Sequence, residues 1–329
     1  MAKKRKKIYL LLAGGTSLTD KEGNVWAVRN KVDVSSWLEQ MPELKILADL
    51  EPVFICGEDD LVSAKTWENI ASEIDKAFLE ADGFVIISKI GQLINTALAV
   101  NFLLQNYKKS LIFTSSQISG SGFIDKKEVI GRLKSKYGGL GLRANLINAL
   151  QIADQPLPGS AIVFGSRVIS ASKAIEDFSD EVNVFKSADN TYWGKVDFGI
   201  NLKAGLKYCP KDTEIFQNIS SKVLIIEDVL GVDWLWDKDI KNYQGLLIKT
   251  NPYQSLEKAK QQKILKWKIP TICHNYLFAH KVDGAVSMSN CTRSSALLKL
   301  MWYLANAKQA GSFEESMKQN LIGEFYLPR

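Results

Sequence analysis

The sequence predicts a two-domain α/β fold, with a larger N-terminal domain on a mainly parallel sheet flanked by helices and a smaller C-terminal α/β domain. Three observations carry that expectation. Short apolar runs alternate with segments of helical periodicity, the pattern of parallel strands joined by crossover helices. The 329 residues exceed what one hydrophobic core ordinarily serves. Hydrophobic residues make up 46% of the chain and charged residues 24%, so a sizeable core can be buried.

In the first domain, assigned to residues 8–190, apolar runs at 8–12, 52–56, 83–88, 110–114 and 161–164 predict buried strands. The spacing predicts helices over 67–79, 94–106 and 145–153. In the first of these, Trp67, Ile70, Ala71, Ile74, Ala77 and Phe78 share one face. Residues 118–142 form a long connection with Ser-Gly-Ser-Gly, a charged helical stretch at 125–136 and Tyr-Gly-Gly-Leu-Gly. Connections of that length tend to be functional or mobile, although a tolerated surface insertion is the plainer reading.

The connecting stretch 191–220 is polar and mixed, with Gly194, Gly199, Gly205 and Pro210, and is expected to be a linker. The second domain, 221–329, carries strand patterns at 223–226, 245–249 and 271–273 and helical patterns at about 256–266 and 294–305. In the last, Leu297, Leu300, Met301 and Leu304 fall on one stripe. Trp234 and Trp236 read as core or interface residues, with a partner surface as the alternative.

The net charge of +6 is localised. Lys3, Lys4, Arg5, Lys6 and Lys7 sit in a basic arm over residues 1–7, and the rest of the chain is near neutral. Such an arm is ordinarily a solvated terminus; its functional alternative is attraction to nucleic acid or an acidic protein partner. No run approaches the roughly 18 apolar residues of a membrane span, so no membrane partner is expected. Cys56, Cys209, Cys273 and Cys291 form no Cys-x-x-Cys pair, and His274 and His280 are the two imidazoles. No metal and no cofactor are expected, and the cysteine usage predicts a reducing, cytoplasmic setting.

The first strand runs into Ala13-Gly14-Gly15-Thr16. Further on come Ala81-Asp82-Gly83-Phe84-Val85-Ile86, Thr96-Ala97 before an apolar helix, and Leu111-Ile112-Phe113-Thr114-Ser115-Ser116-Gln117. Asn145-Leu146-Ile147-Asn148-Ala149, Val184-Phe185-Lys186-Ser187 and Asn320-Leu321-Ile322-Gly323-Glu324 follow in order. Together these segments resemble the L-asparaginase family over nearly the whole chain, and imply its two-domain fold. The resemblance also implies a homo-oligomer, dimer or tetramer, with a pocket completed across an interface.

The positions that carry the family's chemistry differ. The first threonine of its Thr-Gly-Gly-Thr turn is the nucleophile, and Ala13 stands there. The second threonine and the aspartate of its proton-handling set fall on Ile90 and Gly91, and its lysine falls on Glu176. The loop whose serine grips the substrate carboxylate reads Gly57-Glu58-Asp59-Asp60, where acids are expected to repel a carboxylate. The family's mobile-loop tyrosine aligns with Trp26. Gly14, Gly15, Thr16 and Asn251 are retained, and Trp26, Asp59, Asp60, Lys89 and Asn251 are expected to line the pocket with them.

Nucleophilic catalysis needs a hydroxyl beside a base. The substitutions therefore predict a catalytically inactive homologue acting in binding or assembly. The alternative is an amidohydrolase with Thr16 as displaced nucleophile and Lys89 or Glu176 as its base, unless those two form an ion pair across the vacated pocket. A cap on the following turn is the plainer role for the Thr16 hydroxyl. A small-molecule sensor using Cys273-His274-Asn275-Tyr276 is a third reading. A component of a tRNA-dependent amidotransferase would resemble the family too, but is expected to keep the catalytic threonines.

Overall fold

A computed structural model describes residues 5–19, 24–116, 141–177, 183–196, 199–229, 231–232, 240–275 and 280–326. Lys3, Lys4, Trp234, Trp236, Tyr276 and nearly all of the 118–142 insertion lie outside the described residues. The chain divides into two compact units, residues 1–215 and 216–329.

The first unit opens with β1 (Lys7–Ala13), the short strands β2 (Leu18–Thr19) and β3 (Val25–Trp26), α1 (Asp33–Glu39), α2 (Leu44–Leu47), β4 (Asp49–Cys56) and α3 (Ala64–Lys76). It continues through β5 (Gly83–Ser88), α4 (Leu93–Leu103), β6 (Leu104–Gln105), β7 (Leu111–Thr114) and α5 (Leu142–Ile152). The strands β8 (Ala161–Phe164), β9 (Arg167–Ser170), β10 (Ala174–Glu176), β11 (Phe185–Ser187), β12 (Gly194–Val196), β13 (Ile200–Leu202) and β14 (Glu214–Ile215) complete it.

Eight of these strands form one sheet in the order β13-β12-β9-β8-β7-β5-β1-β4. The run from β8 to β4 is parallel, and β9, β12 and β13 close the other side antiparallel. Every residue of β5, β7 and β8 is buried, as expected of strands covered on both faces. The segment expected to be a linker therefore begins as sheet: β12 and β13 pair with each other and β12 pairs with β9.

The helix expected over 94–106 stops at Leu103. Leu104 and Gln105 leave it to pair with β14, and Asn106 takes a left-handed φ of 56°. Ten of the eleven residues of α4 are buried, so it packs on all sides rather than along one stripe. In α3 the expected face is buried through Trp67, Ile70, Ala71 and Ile74, and Phe78 follows the helix end to meet Tyr107 edge-on at 5.2 Å.

The basic arm is shorter than expected. Lys7 is the first residue of β1, and its Nζ donates to Glu80 at 2.8 Å. Arg5 Nη1 donates to the Lys45 carbonyl at 2.9 Å, and Lys6 lies 3.9 Å from Asp82.

The second unit holds β15 (Val223–Glu227), β16 (Gly245–Lys249), α6 (Lys258–Trp267), β17 (Thr271–His274), β18 (Val286–Met288), α7 (Arg293–Ala310) and α8 (Phe313–Lys318). Its four strands are all parallel, in chain order. Thr292 caps α7 by accepting from the Ser295 N–H at 3.0 Å. The expected end of α7 near residue 305 marks a distortion, since Asn306 has φ −126° while the helix resumes to Ala310. The Asn306 amide bonds the carbonyls of Asn218 and Trp302 there. Lys299 of α7 and Glu324 form an ion pair at 2.7 Å with both side chains wholly buried.

Candidate functional site

In the large sheet, the chain leaves β1 for β4 on one side and then returns to β5 on the other. The carboxyl ends of β1 and β5 thus flank the point where strand order reverses, the usual ligand position in an open α/β sheet. Ala13 and Ser88 sit opposite each other at those ends.

The turn after β1 depends on its glycines. Gly14 and Gly15 take φ of 76° and 66°, in the region that disfavours side chains. A Cβ on Gly15 would stand 2.0 Å from the Ser88 carbonyl oxygen, so this backbone lies directly against the end of β5. The same strand end is tied to β7 and α5: Ser115 Oγ donates to the Ser88 carbonyl at 2.6 Å, and Asn145 Nδ2 donates to the Ser115 carbonyl at 3.0 Å. Asn145, legible only as part of a helix start, is thereby a tie between strand ends, and its Oδ1 accepts from Gly165 N–H as well.

The turn delivers Thr16 into a closed polar cluster. Thr16 is wholly buried and Glu58 is 3% exposed. Glu58 Oε2 accepts from the Thr16 N–H at 2.7 Å and from Thr16 Oγ1 at 3.0 Å, and Glu58 Oε1 accepts from Ser17 Oγ at 3.0 Å. The Thr16 hydroxyl in turn accepts from the Val28 N–H at 3.0 Å, and the Thr16 carbonyl accepts from Trp37 Nε1 at 2.8 Å. Four hydrogen bonds thus fix Thr16, and the expected cap on the following turn is replaced by this cluster.

The acidic loop does not present a uniform negative face. Glu58 turns inward, Asp59 is exposed and pairs with Arg29 at 3.1 Å, and Asp60 accepts from the Gly57 N–H at 2.7 Å within its own loop. Glu58 and Ser17 are the cluster members that the sequence reading missed. The spacing carried no signal for either, because strand-end loops do not encode side-chain direction.

The candidate bases stand elsewhere. Lys89 lies along Gly14, with Cγ and Cε each 3.0 Å from where a Gly14 Cβ would be, and its Nζ donates to the Asp60 carbonyl. Glu176 is exposed on β10, opposite Phe185. Among the described residues no ion pair joins Lys89 to Glu176, so the expected pairing across the pocket is not made. Ile90 is half-buried, and Gly91 is exposed with open space at its Cβ position. Trp26 is half-buried, packed against the hydrophobic core that includes Leu10, Leu12 and Leu146. Asn251 belongs to the second unit, where its Oδ1 accepts from the Tyr253 N–H at 2.9 Å and closes a local turn.

Cys56, at the end of β4, is half-buried. Burial pushes its thiol up to about 11, with the Asp60 carboxylate adding to the effect. Cys273 and Cys291 are buried, and burial pushes both up to about 12. In the second unit His274 is buried on β17, with Nε2 donating to the Cys291 carbonyl at 3.0 Å. Among the described residues no group of three or more His, Cys, Asp or Glu is arranged to hold a metal, and no helix is long and apolar enough to cross a membrane.

Residues 7–123 match the family profile described as Asparaginase, N-terminal. L-asparaginase 1 of Escherichia coli (strain K12) is 25% identical over 193 residues, covering 56% of this chain and 51% of that protein. The chain thus spans about half the length of that relative. One of the subunits of glutamyl-tRNA(Gln) amidotransferase, from Methanosarcina acetivorans, is 22% identical over 357 aligned positions, covering 98% of this chain and 80% of that protein. Among solved structures, the thermostable L-asparaginase from Thermococcus kodakarensis superposes with a TM-score of 0.75 at 18% identity, over 97% of this chain and 99% of that one. L-asparaginase I from Vibrio cholerae gives 0.72 at 20% identity, over 98% and 100%. At those identities the structural likeness is one of fold.

Proposed function

The chain belongs to the L-asparaginase-like family, and from that premise we propose that it keeps the fold for binding or assembly and releases no ammonia from amides. The observation that carries this reading is the end of β1. Ala13 occupies the nucleophile position with a methyl group, and the displaced candidate hydroxyl, that of Thr16, is buried with both its donor and its acceptor roles taken. A nucleophile–base unit that loses a member typically loses about 10⁴–10⁶ in turnover, and here Ile90, Gly91 and Glu176 depart from the family pattern as well.

A second reading is favoured by one distance. Thr16 Oγ1 lies 3.0 Å from Glu58 Oε2, the reach at which a carboxylate can act as general base. In an amidohydrolase of that kind Thr16 would be the displaced nucleophile and Glu58, rather than Lys89 or Glu176, its base. Against it stands access, since an amide would have to reach a hydroxyl with no exposed surface.

The main reading takes the protein to be a cytoplasmic homo-oligomer. Four free cysteines support a reducing compartment. Ile225, Val229 and Val232, exposed along and beyond the strand β15, support an apolar assembly face. A relative named as one component of an amidotransferase supports a role in a larger assembly. Binding of nucleic acid through the arm is the weaker reading, since Arg5, Lys6 and Lys7 already pair with the body.

The test is ammonia release from L-asparagine and L-glutamine by the purified chain, with Ala13→Thr and Thr16→Ala alongside. The expected result is no release above background from any of the three. Release from the native chain that Thr16→Ala abolishes would overturn the main reading in favour of the second.

A further inference from the structure

The cluster at the end of β1 has the chemistry of a carboxylate receptor. Three donors converge on one carboxylate: the Thr16 N–H, Thr16 Oγ1 and Ser17 Oγ, at 2.7 to 3.0 Å. They are buried, where hydrogen bonds to a charged group are at their strongest. The two Thr16 donors are fixed from behind. The Val28 N–H sets the Thr16 hydroxyl, Trp37 Nε1 holds the Thr16 carbonyl, and the left-handed pair Gly14-Gly15 aims the turn.

The occupant is the chain's own Glu58, and its backbone is independently anchored. The Glu58 N–H donates to the Val28 carbonyl at 2.7 Å. Gly57 is pressed so closely onto Arg29 that a Cβ would meet that carbonyl oxygen at 2.1 Å. The Thr16 donors and the backbone at 57–58 are therefore held by contacts that do not involve the Glu58 side chain beyond its Cβ.

We infer that this cradle is a site for a small monocarboxylate, kept filled by Glu58 as an intramolecular ligand, so that the native chain excludes free carboxylates from the end of β1. The inference rests on the reading of this crevice as closed to substrate. It goes further in naming the residue that closes it and the class of molecule that residue keeps out. Truncating Glu58 to alanine removes one methylene and the carboxylate, which is the size of acetate. A cradle that survives the truncation should bind acetate in their place.

The experiment follows thermal unfolding of native protein, Glu58→Ala and Glu58→Gln in sodium acetate, in sodium chloride of equal ionic strength, and in acetamide. Glu58→Ala is expected to melt below the native chain and to recover in acetate, with Tm rising with the logarithm of acetate concentration. Acetamide and chloride are expected to give no recovery. Native protein and Glu58→Gln are expected to ignore acetate, because a side chain of full length still fills the space. If Glu58→Ala does not fold in chloride, its refolding yield is compared between acetate and chloride, and a higher yield in acetate is expected. An equal response of Glu58→Ala to acetate and chloride, by melting or by refolding, overturns the proposal. So does a rise in native or Glu58→Gln Tm as large as that of Glu58→Ala. Acetate reports occupancy and ammonia reports turnover, so failure of either reading is visible separately.

Discussion

Glu58 and Thr16 meet twice, Oε2 of the first accepting from both the N–H and the hydroxyl of the second, at 2.7 and 3.0 Å. Forty-two positions apart in the chain, they join the end of β1 to the loop after β4. Removing the Thr16 hydroxyl would take one donor from a buried carboxylate and leave the Val28 N–H without its acceptor. A buried polar group left unmatched costs about 1–3 kcal/mol. Thr16→Ala is therefore expected to lower unfolding stability by about that amount in urea titration, whereas Thr16→Ser, which keeps the oxygen, should lose markedly less. Equal losses in the two variants would mean that the methyl packing matters and the hydrogen bonds do not.

The glycine turn yields a contrast within one crevice. Gly15 has φ 66°, and its Cβ would collide with the Ser88 carbonyl at 2.0 Å. Both partners there are backbone, of the turn after β1 and of the end of β5, with no flexible side chain to give way. Gly15→Ala is expected to cost more than about 4 kcal/mol or to prevent folding. Gly91, a few residues beyond β5, meets nothing within 4 Å. Gly91→Ala should stay within about 0.5 kcal/mol of the native chain. Thermal melting of the pair checks both, and a mild Gly15→Ala would mean that the turn after β1 is not the fixed feature described above.

The strands were legible because buried parallel strands write themselves as continuous apolar runs. Gly83–Ser88 and Gly245–Lys249 match the expected limits. Helix ends were less legible where tertiary pairing intervened, as at Leu104, which leaves α4 for a partner more than a hundred residues away. The site was legible in its backbone and illegible in its side chains. Glu58, Asp59 and Asp60 are consecutive acids with three different fates: inward to Thr16, outward to Arg29, and back onto the loop. The same limit applies to Lys89 and Glu176, whose separation in sequence carries no information on whether they meet. The buried Lys299–Glu324 pair was likewise hidden, since Lys299 falls between residues of an apolar helical stripe.

That pair gives the third prediction. Lys299 also donates to the Met317 and Gln319 carbonyls, while Glu324 accepts from the Leu321 and Ile322 N–H groups. The two side chains therefore fasten the segment after α8 onto α7. Burial lowers the Lys299 pKa while the Glu324 carboxylate opposes that shift. Breaking a buried pair by removing one partner costs about 3–5 kcal/mol, because the other charge is left uncompensated. Lys299→Met is expected to cost that much in denaturant unfolding, and Lys299→Met/Glu324→Leu to recover part of it. A double variant as unstable as the sum of the two single changes would show that the pair is not coupled.

His274 supplies a pH dependence with a definite sign. Burial lowers its pKa from the ordinary 6.5, the Arg293 charge acts in the same direction, and the hydrogen bond to the Cys291 carbonyl opposes them. Below 6.5 the unfolded chain binds a proton at this ring while the folded chain remains neutral. The unfolded state then holds more protons, so stability falls as pH falls through the window beginning at 6.5 and ending at the lower folded value. The slope is bounded by about 1.4 kcal/mol per pH unit for one group. Well above that window both states are neutral and the contribution is flat. Unfolding free energies of native protein and His274→Gln, measured from about pH 7.5 down to about pH 5.5, should therefore converge as pH drops. The native chain loses its histidine-dependent part, and the variant, which has no proton to bind there, keeps a shallower slope. Parallel curves over that range would mean that the ring titrates alike in both states and that its burial on β17 leaves its proton affinity unchanged.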